Sequence, residues 1–278
     1  MTSSDLPFAD QVRECAGWNQ TREDWRLFLE WEPAGCFVAE VDGVPAGTAT
    51  TVCYGTDLAW IGMVLVHPAQ RRHGAGRALL GHCIASLGER RIRSIKLDAT
   101  PLGKTLYDQL GFLDEWTLTR WATKAAEGPP RSVEPMIRPL RDTDWPRIFA
   151  LDDAAFGVPR HRVLRGLAQQ RRRAYVHLDA AGEVDGFGLL RAGSRAWCAG
   201  PVLAADASVG VALLGALLAE VPGEAVVCTV PNQNSEVVEF VERAGFTRQR
   251  PLIRMFLGRN STPGIPSHCR LIADPAIG

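Results

Sequence analysis

The sequence predicts an α/β (α+β) chain of two tandem domains, each a sheet flanked by helices. Three observations point there. Residues 58–80, LAWIGMVLVHPAQRRHGAGRALL, read as a buried strand, a turn with two glycines and the start of a helix. Gly111-Phe112 recurs as Gly245-Phe246 and Leu79-Leu80 as Leu213-Leu214, both displaced by 134 residues, so the stretch between the landmarks kept its length in both copies. Residues 125–135, AAEGPPRSVEP, form a Gly/Pro linker between the copies. The boundaries that follow are 1–126, 136–257 and a tail at 258–278.

In chain order, residues 1–35 read as two helices. Ser3-Ser4-Asp5 caps the first; Thr21, three residues before Asp24, makes an acidic capping box for the second. Trp25, Phe28 and Leu29 give that second helix one apolar face, and Gly17-Trp18-Asn19-Gln20 turns between the two. Residues 36–41 and 45–53 form a hairpin about Asp42-Gly43. The central strand, Trp60 to Val66, is closed by His67-Pro68. Beyond the loop, the helix opens on Arg77-Ala78-Leu79-Leu80 and continues its apolar face at Ile84 and Leu87. A second apolar strand from Ser94 to Leu97 follows, then the turn Asp98–Pro101, a helix holding Tyr107 and a strand at 115–123. The second copy opens on its own strand, Met136 to Leu140, with Asp142-x-Asp144 leading into a helix.

The loop between the central strand and its helix is built for an anion. First-turn N–H groups of a helix lack partners, and the peptide dipoles place about half a positive charge there. Gly74 and Gly76 clear the backbone of side chains, and Arg71, Arg72, His73 and Arg77 surround it with positive charge. A dinucleotide fingerprint needs a third glycine where Leu79 stands, and the Gly-Lys-Ser/Thr of a P-loop is absent. What remains, Arg71-x-x-Gly74-x-Gly76 after a strand ending in Val-x-Pro, resembles the pyrophosphate loop of the GNAT N-acetyltransferases. Leu106-Tyr107-Asp108-Gln109-Leu110-Gly111-Phe112 resembles that family's other signature.

The resemblance implies a mixed, mostly antiparallel twisted sheet in each domain, with two central strands that splay apart. The acetyl-CoA pantetheine arm is then expected along Met63, Val64, Leu65 and Val66. The pyrophosphate is expected at Arg71, Arg72, His73, Gly74, Ala75, Gly76 and Arg77. It implies that the Tyr107 hydroxyl faces the thioester sulfur as general acid. It also offers the turn Gly17-Trp18-Asn19-Gln20, with Trp18 and Asn19 foremost, as the lip of the acceptor pocket, against the plainer reading of a helix–helix turn with a packed tryptophan. Residues 60–66 hold no carboxylate, so the base falls to Asp98 or Asp57, of which Asp98 is carried forward. The implied activity is direct transfer of acetyl from acetyl-CoA to a primary amine of a small molecule, in the first domain and without a metal. The rival reading is a non-catalytic acyl-CoA-binding sensor.

The second copy keeps the pattern and loses the chemistry. At the 134-residue displacement Arg71 becomes Ala205, Arg72 Asp206, Gly74 Ser208 and Tyr107 Val241, with Gly76 kept as Gly210. Formal net charge is zero, so no global field favours nucleic acid or an anionic membrane. The dense basic run, 159–173, reads as a solvated helix face. Seven scattered cysteines without a C-x-x-C pair argue for reduced thiols, and no apolar run approaches membrane-spanning length, so a cytoplasmic monomer or homodimer is expected. For the Pro/Gly-rich tail two courses stay open: disorder, or a crossing that lines the pocket.

Overall fold

The computed structural model describes residues 1–126 and 136–278; most of the predicted linker, 127–135, lies outside the described residues. The first half runs α1 (Leu6–Cys15), α2 (Arg22–Trp31), β1 (Cys36–Val41), β2 (Val44–Tyr54), β3 (Leu58–Val66), α3 (Ala75–Glu89), β4 (Ser94–Ala99), α4 (Pro101–Gln109) and β5 (Leu113–Thr123). The second runs β6 (Ile137–Pro139), α5 (Trp145–Phe156), α6 (His161–Gln169), β7 (Arg171–Leu178), β8 (Val184–Arg191), β9 (Trp197–Ala204), α7 (Ala207–Leu218), β10 (Val226–Pro231), α8 (Ser235–Arg243), β11 (Thr247–Gly258) and β12 (Cys269–Leu271).

Local chemistry explains the early elements. Thr21 Oγ1 accepts from the Asp24 N–H at 3.2 Å, and Asp24 Oδ2 accepts from the Thr21 N–H at 2.7 Å, so the capping box closes in both directions. Asp42 and Gly43 take φ of 52° and 75°, the left-handed pair that a two-residue hairpin demands. Trp25, Phe28 and Trp31 pack edge to face along the buried side of α2.

The two halves share one mixed sheet in the order β1-β2-β3-β4-β11-β5-β10-β9-β8-β7-β6, mostly antiparallel and flanked by helices. Its centre is an exchange of last strands. β11, from the second half, lies between β4 and β5, with Arg254 opposite Asp98 and Leu252 opposite Leu118. β5, from the first half, runs on against β10, with Leu118 opposite Pro231. Residues 113–123 therefore do not simply complete the first half, because each half's sheet is finished by the other's last strand.

The basic run at 159–173 departs from the sequence reading only in part. It divides between α6 and β7, and Val163, Leu164 and Leu167 are buried in the core. Arg160 is bound by Asp152, Nη2 to Oδ1 at 2.8 Å, with side chains 1% and 0% exposed. Arg162 donates to the carbonyls of Trp31 and Cys53 in the first half, at 2.6 and 3.0 Å. Arg162, Arg165, Arg171 and Arg173 are exposed, as the sequence reading has it, so the departure is confined to Arg160 and to the apolar face, while Arg162 bonds the first half from the surface. Among the described residues no helix is long and apolar enough to cross a membrane.

Candidate active site

β3 and β4 run parallel and pair only where Leu58–Trp60 meet Ser94–Lys96, then separate. Beyond that point the β4-facing side of β3 has no strand partner among the described residues. The break coincides with a bulge: the β2–β3 register shifts between Thr48 and Thr50, and Met63 takes a φ of 48°, unusual for a residue with a side chain. Thr48 Oγ1 fixes it by donating to the Met63 carbonyl at 2.9 Å. The opening is a cleft between β3, β4, α4, the α1–α2 turn, β11 and the chain's last residues. Met63 and Val64 line it. Leu65 is turned into the core, and Val66 ends the strand with its carbonyl accepting from Arg71 Nε at 3.4 Å.

The glycine loop follows the C-terminal end of β3 and packs on Val66. Gly74 is the N-cap of α3 at φ 83°, and no side chain caps the helix. Its first-turn N–H groups face outward, and a Cβ at Gly74 meets nothing within 4 Å. Arg72 has φ 69°, also left-handed. Arg71, Arg72, His73 and Arg77 are exposed around the helix start, whereas Ala75 is buried and anchors it. A Cβ at Gly76 would stand 3.5 Å from Val66 Cγ2, so loop and strand are closely packed. Arg77 is turned toward α4, where its Nη2 donates to Gln109 Oε1. An uncapped helix start ringed by cations, in open space, fits a pyrophosphate.

Tyr107 also lines the cleft, projecting from α4. Its ring lies back over Gly103, where a Cβ would fall 2.7 Å from Tyr107 Cε2, and packs edge to face on Phe112. Thr100 caps the helix, accepting from the Gly103 N–H at 3.3 Å. Burial pushes the Tyr107 phenol up to about 12, so the hydroxyl keeps its proton at neutral pH.

Two assigned residues have other work. Asp98 lies in the cleft wall, but its carboxylate is fully buried and bound by Arg254 through Nε and Nη2 at 2.9 and 3.0 Å. Burial pushes its carboxyl up against the pull of Arg254. With both oxygens taken, Asp98 holds Arg254 between the Trp60 and Trp116 rings and is not a free base. Asp57 pairs with Arg93 at the surface. Asn19 is likewise committed: its Oδ1 accepts from the Arg195 and Ala196 N–H groups and its Nδ2 donates to the Ala196 carbonyl, each at 3.0 Å. It ties the α1–α2 turn to the β8–β9 loop and presents nothing to a substrate. Trp18 does line the cleft.

Gln20, from the turn offered as the pocket lip, also lines the cleft, whereas sequence reasoning missed Gly62, Arg250, Leu252, Pro275 and Ala276. The last four come from the second half and the tail, which crosses back over β3. Trp60 Nε1 donates to the Pro275 carbonyl at 3.0 Å and the Tyr54 hydroxyl to the Ile277 carbonyl at 2.8 Å. A Cβ at Gly62 would fall 2.4 Å from the Ala276 oxygen, so this glycine is what admits the tail. Among the described residues no three His, Cys, Asp or Glu side chains gather as a metal site.

The second half has the same splay, and its own chain fills it. β9 and β10 pair in parallel only over Trp197–Ala199 and Val226–Cys228. Into the gap comes β12, pairing Cys269 with Leu203 and Leu271 with Val202, while Ile272 N–H donates to the Thr229 carbonyl at 3.1 Å. At the helix start the N-cap is Asp206, so here the copies are displaced by 132 residues, and Asp206 rather than Ser208 takes the place of Gly74. Its carboxylate accepts from the Ser208 N–H at 2.7 Å, and the Ser208 bonds hold it below the usual carboxylate range. Arg270, 6% exposed, packs against Gly210 and donates to the Ala204 carbonyl and Asn234 Oδ1.

Comparison with known proteins agrees with this geometry. The family described as "Acetyltransferase (GNAT) family" matches residues 7–112, and that described as "Acetyltransferase (GNAT) domain" matches residues 148–268. The Bacillus subtilis protein "Uncharacterized N-acetyltransferase YitH" is 24% identical over 222 residues, covering 80% of this chain and 77% of its own. A crystal structure of a putative acetyltransferase from Pyrococcus horikoshii superposes with a TM-score of 0.84 at 24% identity, covering 100% of this chain and 94% of that one. A tandem GNAT protein from the clavulanic acid biosynthesis pathway superposes at 0.62 with 16% identity, covering 91% and 94%.

Proposed function

We propose, for a chain that belongs to the GNAT acetyltransferase family and carries two such domains in tandem, that its first half transfers acetyl from acetyl-CoA to a primary amine of a small molecule. One observation carries the reading. The splayed edge of β3 at the Met63 bulge and a protonated phenol at Tyr107 line one cleft, and the strand that lines it leads at Val66 into the open helix start at Gly74. The loop residues Arg71 to Gly76 would hold the pyrophosphate, and the backbone of Met63 and Val64 the pantetheine arm. Bound there, acetyl-CoA supplies a thioester carbonyl as acyl donor.

The protein's own groups do the rest. A lysine-like amine costs about 5 kcal/mol to deprotonate at pH 7. The carboxylate in the cleft wall is engaged by Arg254, so water in the open cleft takes the amine proton. As the N–C bond forms and the C–S bond breaks, the Tyr107 hydroxyl gives its proton to the departing sulfur, and the surplus proton of the attacking nitrogen passes through water to the phenolate, leaving the neutral amide, the free thiol and the restored phenol. Orientation of the two reactants between β3 and β4 supplies most of the remaining acceleration. The second half serves as a scaffold that binds no CoA, because β12, Asp206 and Arg270 already fill its slot and helix start. The free thiols of all seven cysteines suit a reducing cytoplasm.

The test is thiol release from acetyl-CoA with a set of small amines, measured together with the acetylated product. Free CoA and acetylated amine in equal amounts are expected. Tight acetyl-CoA binding with no amine-dependent release would overturn the reading and leave a sensor.

A further inference from the structure

Two arginines beside the cleft lack a counter-charge. Arg120 on β5 and Arg250 on β11 stand directly opposite each other in the antiparallel register, which puts both side chains on the same face as neighbours. Arg120 is 6% exposed. Arg250 lines the cleft, its guanidinium 5.5 Å from the centre of the Trp18 ring, and its Nε is buried without an acceptor. Among the described residues neither guanidinium is met by a hydrogen bond or an ion pair. Nearby buried arginines are treated differently: Arg254 is bound at both ends of its fork by Asp98, and Arg191 is bound to Asp24.

Like charges directly opposite on neighbouring strands are destabilising, and burial adds to the cost when no anion is present. Burial and the charge of Arg120 together pull the Arg250 guanidinium down to about 10. The carboxylate whose field reaches Arg250, Asp274, is already held by Gln20 Nε2 at 2.8 and 3.1 Å and by the Ala276 N–H at 2.9 Å. Those bonds fix the orientation of the Gln20 amide and leave its Oε1 buried, in a cleft-lining residue, with no donor. The wall of one cleft thus combines an unmatched cation, Arg250, an unmatched neutral acceptor and, beyond them, Tyr107, with the second unmatched cation, Arg120, on the strand directly beside Arg250.

We propose that the acceptor is an amine that also carries an oxyanion, a carboxylate or a phosphate. Arg250 and Arg120 hold the anion while Gln20 Oε1 accepts from a substrate N–H. This rests on the acyl-transfer reading above and names the substrate class for it. An oxyanion supplies the acceptors that the two forks lack and removes the repulsion between them.

The experiment compares β-alanine with its amide and its methyl ester, and 2-aminoethyl phosphate with ethanolamine. In the wild type, kcat/KM favours the charged member of a set by about 10- to 100-fold, the size of one charge-assisted contact. In Arg250→Met and Arg120→Met that ratio collapses toward one, and Arg250→Lys retains part of it. Both methionine variants melt, ligand-free, at or above the wild-type temperature, since each removes the repulsion. Whichever set shows the preference identifies carboxylate or phosphate. A wild-type ratio near one in both sets, or a ratio unchanged in both methionine variants, overturns the proposal. Equilibrium titration with N-acetyl-β-alanine and its amide reads the site without turnover. Binding that needs the carboxylate and is lost in Arg250→Met supports the anion site even if no amine is acetylated, in which case the acyl-transfer reading alone falls. Equal binding of acid and amide overturns the anion site alone.

Discussion

Replacing Gly62 by alanine tests how the tail completes the cleft. The φ of Gly62 is not left-handed, so the substitution adds a methyl group without backbone strain. That methyl would lie 2.4 Å from the Ala276 oxygen and 2.8 Å from its Cα, a backbone approach that no rotamer relieves. The tail must lift from β3. Lifting breaks the bonds from Trp60 to the Pro275 carbonyl and from Tyr54 to the Ile277 carbonyl, worth about 1 kcal/mol each. It also uncovers Ile277, now 2% exposed, at about 2 kcal/mol. The sum is about 4 kcal/mol, or about 10 °C in melting temperature for a chain of this size. Pro275 and Ala276 line the cleft, on the side where the proposal seats the acceptor, so KM for the amine is expected to rise while acetyl-CoA affinity holds. Thermal denaturation and steady-state kinetics read both. A melting temperature within a degree or two of wild type, with an unchanged amine KM, would refute the role given to the tail.

Tyr107→Phe keeps the ring on Phe112 and removes the proton; the turnover number falls about 10²-fold with acetyl-CoA affinity unchanged, and equal turnover with chemistry rate-limiting would remove Tyr107 from the mechanism. Because burial pushes the phenol up to about 12, its proton is present at all lower pH, and turnover shows no loss assignable to Tyr107 between pH 7 and 10. Asp144 is held below the usual carboxylate range, first by its hydrogen bonds from Arg138 at 2.8 Å, so its stabilisation is present above the ordinary carboxylate pKa and fades as pH falls below it. Asp144→Asn costs about 1–2 kcal/mol at pH 7 and much less at pH 3 by chemical denaturation; an equal loss at both would contradict the ion pair.

The parts legible in the sequence are those fixed by local chemistry. Asp42-Gly43 needs left-handed backbone, Thr21 needs Asp24 three residues on, and Gly74 takes the left-handed φ of a glycine at the start of α3. Repeat spacing showed the duplication and the lost loop, although the actual N-cap, Asp206, lies two residues before the position that uniform spacing gives. The exchange of β5 and β11 was not legible, because strand periodicity reports which face is buried and not which strand is the neighbour. Arg250, Pro275 and Ala276 stayed hidden for that reason: they reach the first half's cleft only through the exchange and the returning tail. Asp98 and Asn19 read as free polar groups because their partners, Arg254 and residues 195–196, lie far along the chain. The tail's alternation of apolar residues left its course open. β12 and the bonds to Trp60 and Tyr54 resolve it into a strand and a strap.

Calorimetric titration of acetyl-CoA into the intact protein and into Gly74→Val tests the division of labour most directly. Valine at a φ of 83° is strained and projects a branched side chain into the space before the helix start. The expected result is one acetyl-CoA per chain in the wild type and affinity weakened by about 10²-fold or more in a Gly74→Val protein with a native circular dichroism spectrum. Two equivalent sites per chain, or undiminished binding in the folded variant, would contradict a catalytic first half and a second half filled by its own chain.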